Sequence, residues 1–160
     1  MRKIEISSKF NVYPSLKDTP VQVQKLMLKA IEAREKAYAP YSKFNVGAAV
    51  LLDNGKIVTG NNQENASYPS GLCAERTAVY AANANFPESK MRILTITAAS
   101  CRKETEIPIP PCGACRQVIA EYETRQDAPI EIYFMGKKGE VVCSESLANL
   151  LPFIFDKSAL

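Results

Sequence analysis

Apolar residues recur at spacings of three and four through the first third of the chain. Val23, Leu26, Met27, Ala30 and Ile31 predict a helix with one apolar face, running from Thr19-Pro20 to about Tyr38. Thr19 suits its cap and Pro20 its first helical position. The pattern then changes. VGAAVLL (46–52) is a continuous apolar run, followed by DNGK and KIVTG, and Asn54-Gly55 between two β-like runs predicts a hairpin. NNQENASYPSGL (61–72) is polar and turn-rich, a loop. CAERTAVYAAN (73–83) has helical composition, and RILTITAAS (92–100) reads as a buried strand. A loop with Pro108, Pro110 and Pro111 follows. CGACRQVIAEY (112–122) predicts a helix with Cys115, Val118, Ile119 and Tyr122 on one face. IEIYFM (130–135) and EVVCS (140–144) are strands joined by GKKG, and SLANLL (146–151) is a short last helix closed by Pro152. The order α-β-β-α-β-α-β-β-α predicts an α/β fold, one mixed sheet covered by helices. Residues 1–19, in which IEISSKFNV alternates partly like a strand, read as an extension packed on a domain of residues 20–160.

With 160 residues the chain fits one domain, and 46% hydrophobic with 23% charged residues are ordinary globular values. No apolar run approaches the roughly 20 residues of a membrane span. The net charge is +3, from 20 basic and 17 acidic residues, and the basic residues are scattered. A nucleic-acid polymer is therefore a disfavoured partner, since its binders usually carry a basic stripe. The chain has no histidine. That closes Ser-His-Asp and Cys-His catalysis and any histidine-ligated metal, and leaves acid-base work to Glu, Asp, Lys, Tyr or Cys. Five cysteines, at 73, 101, 112, 115 and 143, with no signal-peptide core at the N-terminus, predict a cytoplasmic protein with reduced thiols.

Cys112 and Cys115 open a predicted helix in PCGAC, so both sulfurs can point at one spot, and a helix N-terminus favours the metal-binding thiolate. Alone, this spacing fits a redox pair, half of a zinc site, or packing. Cys73 also opens a predicted helix, with Glu75 two residues on. Three thiolates suit Zn²⁺ and leave a fourth position open, the catalytic pattern, where a carboxylate can move a proton. Three thiolates and Zn²⁺ carry a net charge of −1, so a cation should compensate. Arg76 is the first candidate and Arg116 the second. Cys101 and Cys143, at predicted strand ends, read as buried small apolar residues.

CAERTA followed by PCGACRQV resembles the zinc-dependent cytidine deaminase superfamily, and YAPYSKFNVGAAV (38–50) with NNQENASYP (61–69) narrows the likeness to deaminases of free nucleosides. The resemblance runs from about Tyr38 to Phe155. It implies a three-layer α/β/α fold with a mixed, roughly five-stranded sheet, and residues 20–160 as the catalytic domain. It further implies one Zn²⁺ per subunit on Cys73, Cys112 and Cys115, and Glu75 as the proton shuttle for activated water attacking C4 of cytidine or 2′-deoxycytidine, in pyrimidine salvage. By the same likeness Asn62 and Glu64 hold the ribose, Phe44 packs on the base, and Tyr68 reaches a neighbouring subunit's site. Phe155, in LLPFIF, matches the family's C-terminal aromatic. The histidine-free, cysteine-ligated type resembles the homotetrameric branch, whose sites are completed by neighbouring subunits.

Two other readings share parts of this pattern. A blasticidin S-type aminonucleoside deaminase has the zinc motifs but no need of the Asn62/Glu64 pair. A non-catalytic zinc module would close the fourth position with Cys101 or Cys143, and leaves Glu75 without a purpose.

Overall fold

The computed structural model describes residues 1–157 and 160. Helix α1 spans Val21–Arg34, α2 Ala74–Asn85 and α3 Gly113–Gln126. The strands are β1 (Asn11–Tyr13), β2 (Phe44–Leu52), β3 (Ile57–Asn61), β4 (Met91–Ser100), β5 (Glu131–Met135) and β6 (Val141–Ser144). They form one sheet in the order β1-β6-β5-β4-β2-β3. The expected five strands are all present. The sixth is β1, which pairs antiparallel with β6 and adds an edge to the sheet.

Alternation along the strands builds the three layers. Ala48, Val50 and Leu52 of β2, Leu94 and Ile96 of β4, and Ile132 and Phe134 of β5 face α2 and α3. Ala49, Leu51, Ile93, Tyr133 and Met135 face the other way, onto Val23, Leu26, Met27 and Ala30 of α1. A strand period of two sends each set to its own side.

Local differences from the sequence reading have identifiable causes. Helix α1 stops at Arg34 rather than near Tyr38, because Tyr38 leaves to pair with the 62–64 segment. Its N–H donates to Asn62 O at 3.0 Å, and its carbonyl accepts from Glu64 N at 2.9 Å. The hydroxyl of Thr19 does not cap the helix; it donates to Leu16 O at 2.7 Å, inside the preceding 3-10 turn. The 54–55 hairpin forms with Gly55 in the left-handed region (φ 79°) and its N–H bonded to Leu52 O at 3.0 Å. That is a three-residue loop with glycine in the left-handed position, rather than a two-residue turn. The predicted helix after residue 146 is a single 3-10 turn, Leu147–Asn149. Cys143 is buried as expected, whereas Cys101, in the turn beyond β4, is exposed.

Topology brings the chemistry together. Strands β3 and β4 both pair antiparallel with β2, so they run in the same direction, and β5 is parallel to β4. Helix α2 follows β3, and α3 follows β4. Both N-termini therefore emerge at the same edge of the sheet, the carboxyl edge of these strands, where open α/β sheets place their ligands. Among the described residues no helix is long and apolar enough to cross a membrane.

Candidate active site

Cys73 is the N-cap of α2 and Cys112 the N-cap of α3, both with extended backbone. In each case the carbonyl accepts the first helical bond, from Thr77 N at 3.0 Å and Arg116 N at 2.9 Å. Neither side chain makes a capping hydrogen bond, so each sulfur is free to point across the gap between the helices. Cys115, one turn into α3, is fully buried. The Cys73 and Cys112 sulfurs are 3.8 Å apart and those of Cys112 and Cys115 3.5 Å apart. All three lie within 4.8 Å of one another. Sulfurs bound at about 2.3 Å to one tetrahedral zinc stand about 3.8 Å apart. Two of the three separations match that ion's, and the trio is placed to share it.

Charge supports the same fit. Cys73 is pushed down to about 5, mainly by the hydrogen bond from the Cys115 thiol and also by the Arg76 guanidinium. Cys115 is pushed up by its hydrogen bond to Cys73 and by burial. Thiolates crowded into this space repel one another, and a cation among them relieves the repulsion. Arg76 Nη2 lies 3.7 Å from Cys73 Sγ. Its Nε is buried without a hydrogen-bond partner among the described residues, an unfilled donor beside the thiols. Arg116 serves elsewhere: it donates to Pro111 O at 2.8 Å and Leu150 O at 3.0 Å, tying the proline loop to the 3-10 turn near the C-terminus.

Glu75, in the first turn of α2, is 5% exposed. Burial raises its pKa, and the negative charge on Cys73 adds to the effect. A buried carboxyl that holds its proton more tightly than an exposed one is suited to acid-base transfer. It opens onto a cavity of about 800 Å³ that is also lined by Cys73, Cys112, Arg76, Phe44, Asn62, Glu64 and Tyr68.

The cavity wall opposite the sulfurs is built by backbone pairing. Asn62 Oδ1 accepts from Val46 N at 2.8 Å and Nδ2 donates to Phe44 O at 2.9 Å. One amide N–H is left for a ligand. Glu64 Oε2 accepts from the Tyr41 and Ser42 N–H groups at 2.9 and 3.2 Å. The Ser42 side chain and these two N–H groups hold its pKa below the usual carboxylate range. Lys43, between Ser42 and Phe44, has a left-handed backbone (φ 58°). Such backbone strain is tolerated where the surroundings over-determine it, and here it turns the chain between two residues of the cavity wall.

Tyr68 stands at the mouth, 77% exposed, its ring 6.3 Å from that of Tyr41. Phe155 is not brought to this cavity; it is exposed, and its carbonyl accepts from Gln117 Nε2 at 2.7 Å. Tyr41, Leu72, Ile109 and Pro110 also line the cavity and were not anticipated. The proline cluster just before Cys112 was the available signal for the last two: a stiff loop beside a ligand cysteine has few places to go.

Residues 20–127 match the family model described as the cytidine and deoxycytidylate deaminase zinc-binding region. A cytidine deaminase of Sporosarcina psychrophila is 42% identical over 140 residues, covering 88% of this chain and 96% of its own. One from Halalkalibacterium halodurans is 42% identical over 132 residues, covering 82% and 92%. The crystal structure of a cytidine deaminase from Burkholderia pseudomallei superimposes with a TM-score of 0.70 at 40% identity, over 82% of this chain and 97% of that one.

Proposed function

The chain belongs to the cytidine and deoxycytidylate deaminase family, and from that premise we propose that it hydrolyses free cytidine and 2′-deoxycytidine to uridine, 2′-deoxyuridine and ammonia, in cytoplasmic pyrimidine salvage. One observation carries the reading: three cysteine sulfurs close enough to share a zinc ion stand beside a buried carboxyl at the wall of a cavity with ample room for a nucleoside. Cys73, Cys112 and Cys115 hold one zinc ion per subunit. Bound there, zinc acidifies water for attack at neutral pH.

The chain's own residues do the remainder. Glu75 takes up a proton, delivers it to N3 of the pyrimidine, and then serves the departing amine, one carboxyl acting in both directions. The Arg76 guanidinium draws charge from Cys73 and lowers the electron density of the sulfur cluster. Phe44 packs on the base. Asn62 offers an amide donor, and ionised Glu64 accepts from the sugar hydroxyls. Tyr68 and Phe155 serve a neighbouring subunit's cavity in a homotetramer; exposed aromatic side chains at the mouth and tail support this reading, since such side chains are enriched at interfaces.

Ammonia release from cytidine, measured with and without a chelator, tests the proposal. Turnover that disappears on chelation and returns with zinc is expected. Turnover of blasticidin S with none of cytidine would refute the substrate, and four sulfurs around the metal by absorption spectroscopy would refute catalysis.

A further inference from the structure

Residues 1–10 lie outside the span of the family model and outside the cavity. They lead into β1 and run beyond β6 from Lys9 back, since Asn11 is opposite Cys143 and β6 ends at Ser144. Across residues 4–10 the hydrogen bond to the rest of the chain, among the described residues, is Lys9 N to Asn149 Oδ1 at 3.2 Å. Yet apolar side chains recur at every second position up to β1, broken only at Ser8. Ile4 is 68% exposed, Ile6 47%, Phe10 40% and Val12 54%. This is the pattern of a half-buried strand without a sheet neighbour, at the edge of a sheet whose outer backbone groups are open.

We propose that residues 4–10 pair antiparallel with the same segment of a second copy of this chain, about a two-fold axis at Ser7. Among registers that keep all of residues 4–10 in the contact, the charges select this one. Glu5 then stands opposite Lys9 of the second copy and Lys9 opposite its Glu5, while Ile4 faces Phe10 and Ile6 faces Ser8. A register shifted by two residues one way sets Lys3 against Lys9; shifted the other way it sets Glu5 against Asn11 and loses both ion pairs. Directly opposed residues share a face, so the even-numbered side chains of both copies form one apolar strip and the odd-numbered ones a polar face. The contact is isologous, as a two-fold requires, and joins the two sheets edge to edge.

Sedimentation of the full chain over a concentration series tests this, with a chain lacking residues 2–10 reporting whatever assembly the remainder makes. The deletion should lower the assembly mass and leave cytidine turnover unchanged. Glu5→Lys and Lys9→Glu should each weaken the contact by about tenfold, and the double charge swap should restore it. In a Cys101→Ser background, Ser7→Cys should oxidise to a disulfide between two chains, because opposed Cα atoms about 4.5–5.5 Å apart are within bridging reach. Ser8→Cys should not. Equal masses for all variants, a double swap no better than the single changes, or equal cross-linking at 7 and 8 would each overturn the proposal.

Discussion

Replacing Gly60 by alanine tests whether the close approach of β3 and α2 sets the metal geometry. A Cβ at Gly60 would lie 2.5 Å from Ala78 N and 2.6 Å from Ala74 O. Both are backbone atoms of α2, so no side-chain rotation relieves the clash. Ordinary contact begins at 3.4 Å, so the helix must retreat by about 0.9 Å. Ala74 immediately follows Cys73, and the ligand moves with the helix. If the retreat falls along the line between the sulfurs, the gap from Cys73 to Cys112 opens from 3.8 Å to about 4.7 Å. Two sulfurs each about 2.3 Å from one ion cannot be more than about 4.6 Å apart, even in a straight line. The ion must then lose a ligand or pull the helix back against the clash.

Overpacking of this kind costs about 2 kcal/mol, which lowers Tm by roughly 4–8 °C in a chain of this size. A displacement of this order at a catalytic group costs about 10²-fold in rate. Zinc per chain, Tm and kcat on cytidine are the three readings. Gly113→Ala is the contrast: it adjoins Cys112, but a Cβ there meets nothing within 4 Å among the described residues. It should keep full zinc and an unchanged Tm. A Gly60→Ala protein with one tightly held zinc per chain, unchanged Tm and unchanged kcat would refute the reasoning.

Glu75→Gln should retain zinc and fold normally while kcat falls by about 10²–10⁴-fold, the usual worth of a positioned acid-base group; loss of metal together with activity would make Glu75 a structural residue. Glu64 has a depressed pKa, so its carboxylate stays charged above the ordinary value of 4.5 and is lost only as pH falls through a lower one. The KM for cytidine should therefore stay flat from about pH 8 to pH 5 as far as Glu64 is concerned, and Glu64→Gln should raise KM by about tenfold at every pH in that range. Cys101→Ser should leave zinc at one per chain, because Cys101 is exposed in the turn beyond β4, while Cys115→Ala should yield metal-free protein. Metal analysis of the purified variants decides both.

The parts of this molecule legible in the sequence are those whose signals are local. Cys73 and Glu75 share a helical turn, as do Cys112 and Cys115, so their spacing already states which side chains can meet. Strands β2 to β6 announce themselves by apolar runs between turn residues. Other features were hidden because their causes lie far along the chain. The pairing of β1 with β6 joins opposite ends of the sequence, and the partial alternation in IEISSKFNV names no partner for it. The early end of α1 is decided by Tyr38 pairing with residues 62–64, which helical periodicity does not register. Thr19 has cap chemistry, but the preceding 3-10 turn offers its hydroxyl a nearer acceptor, Leu16 O. Asn62 and Glu64 were proposed for a ligand, yet each also braces the cavity wall against β2 or the 41–42 turn, a second duty that no linear spacing encodes.

The lack of histidine has a physical consequence beyond the choice of ligand. Imidazoles would leave zinc cationic and its water acidic without help; three thiolates leave a net charge of −1 and make that water harder to ionise. The chain meets this at both helix N-termini, whose partial positive charge falls on the Cys73 and Cys112 sulfurs, and with Arg76, whose Nη2 reaches Cys73. Glu75 then experiences two opposed influences. Burial and the sulfur charge raise its pKa, and the same Arg76 lowers it. On the proposed reading, a single guanidinium thus bears on both the electron density of the sulfurs and the proton affinity of the carboxyl beside them. Removing it changes the two together. The coupling follows from placement: one turn of α2, from Cys73 to Arg76, carries the thiol, the carboxyl and the guanidinium together.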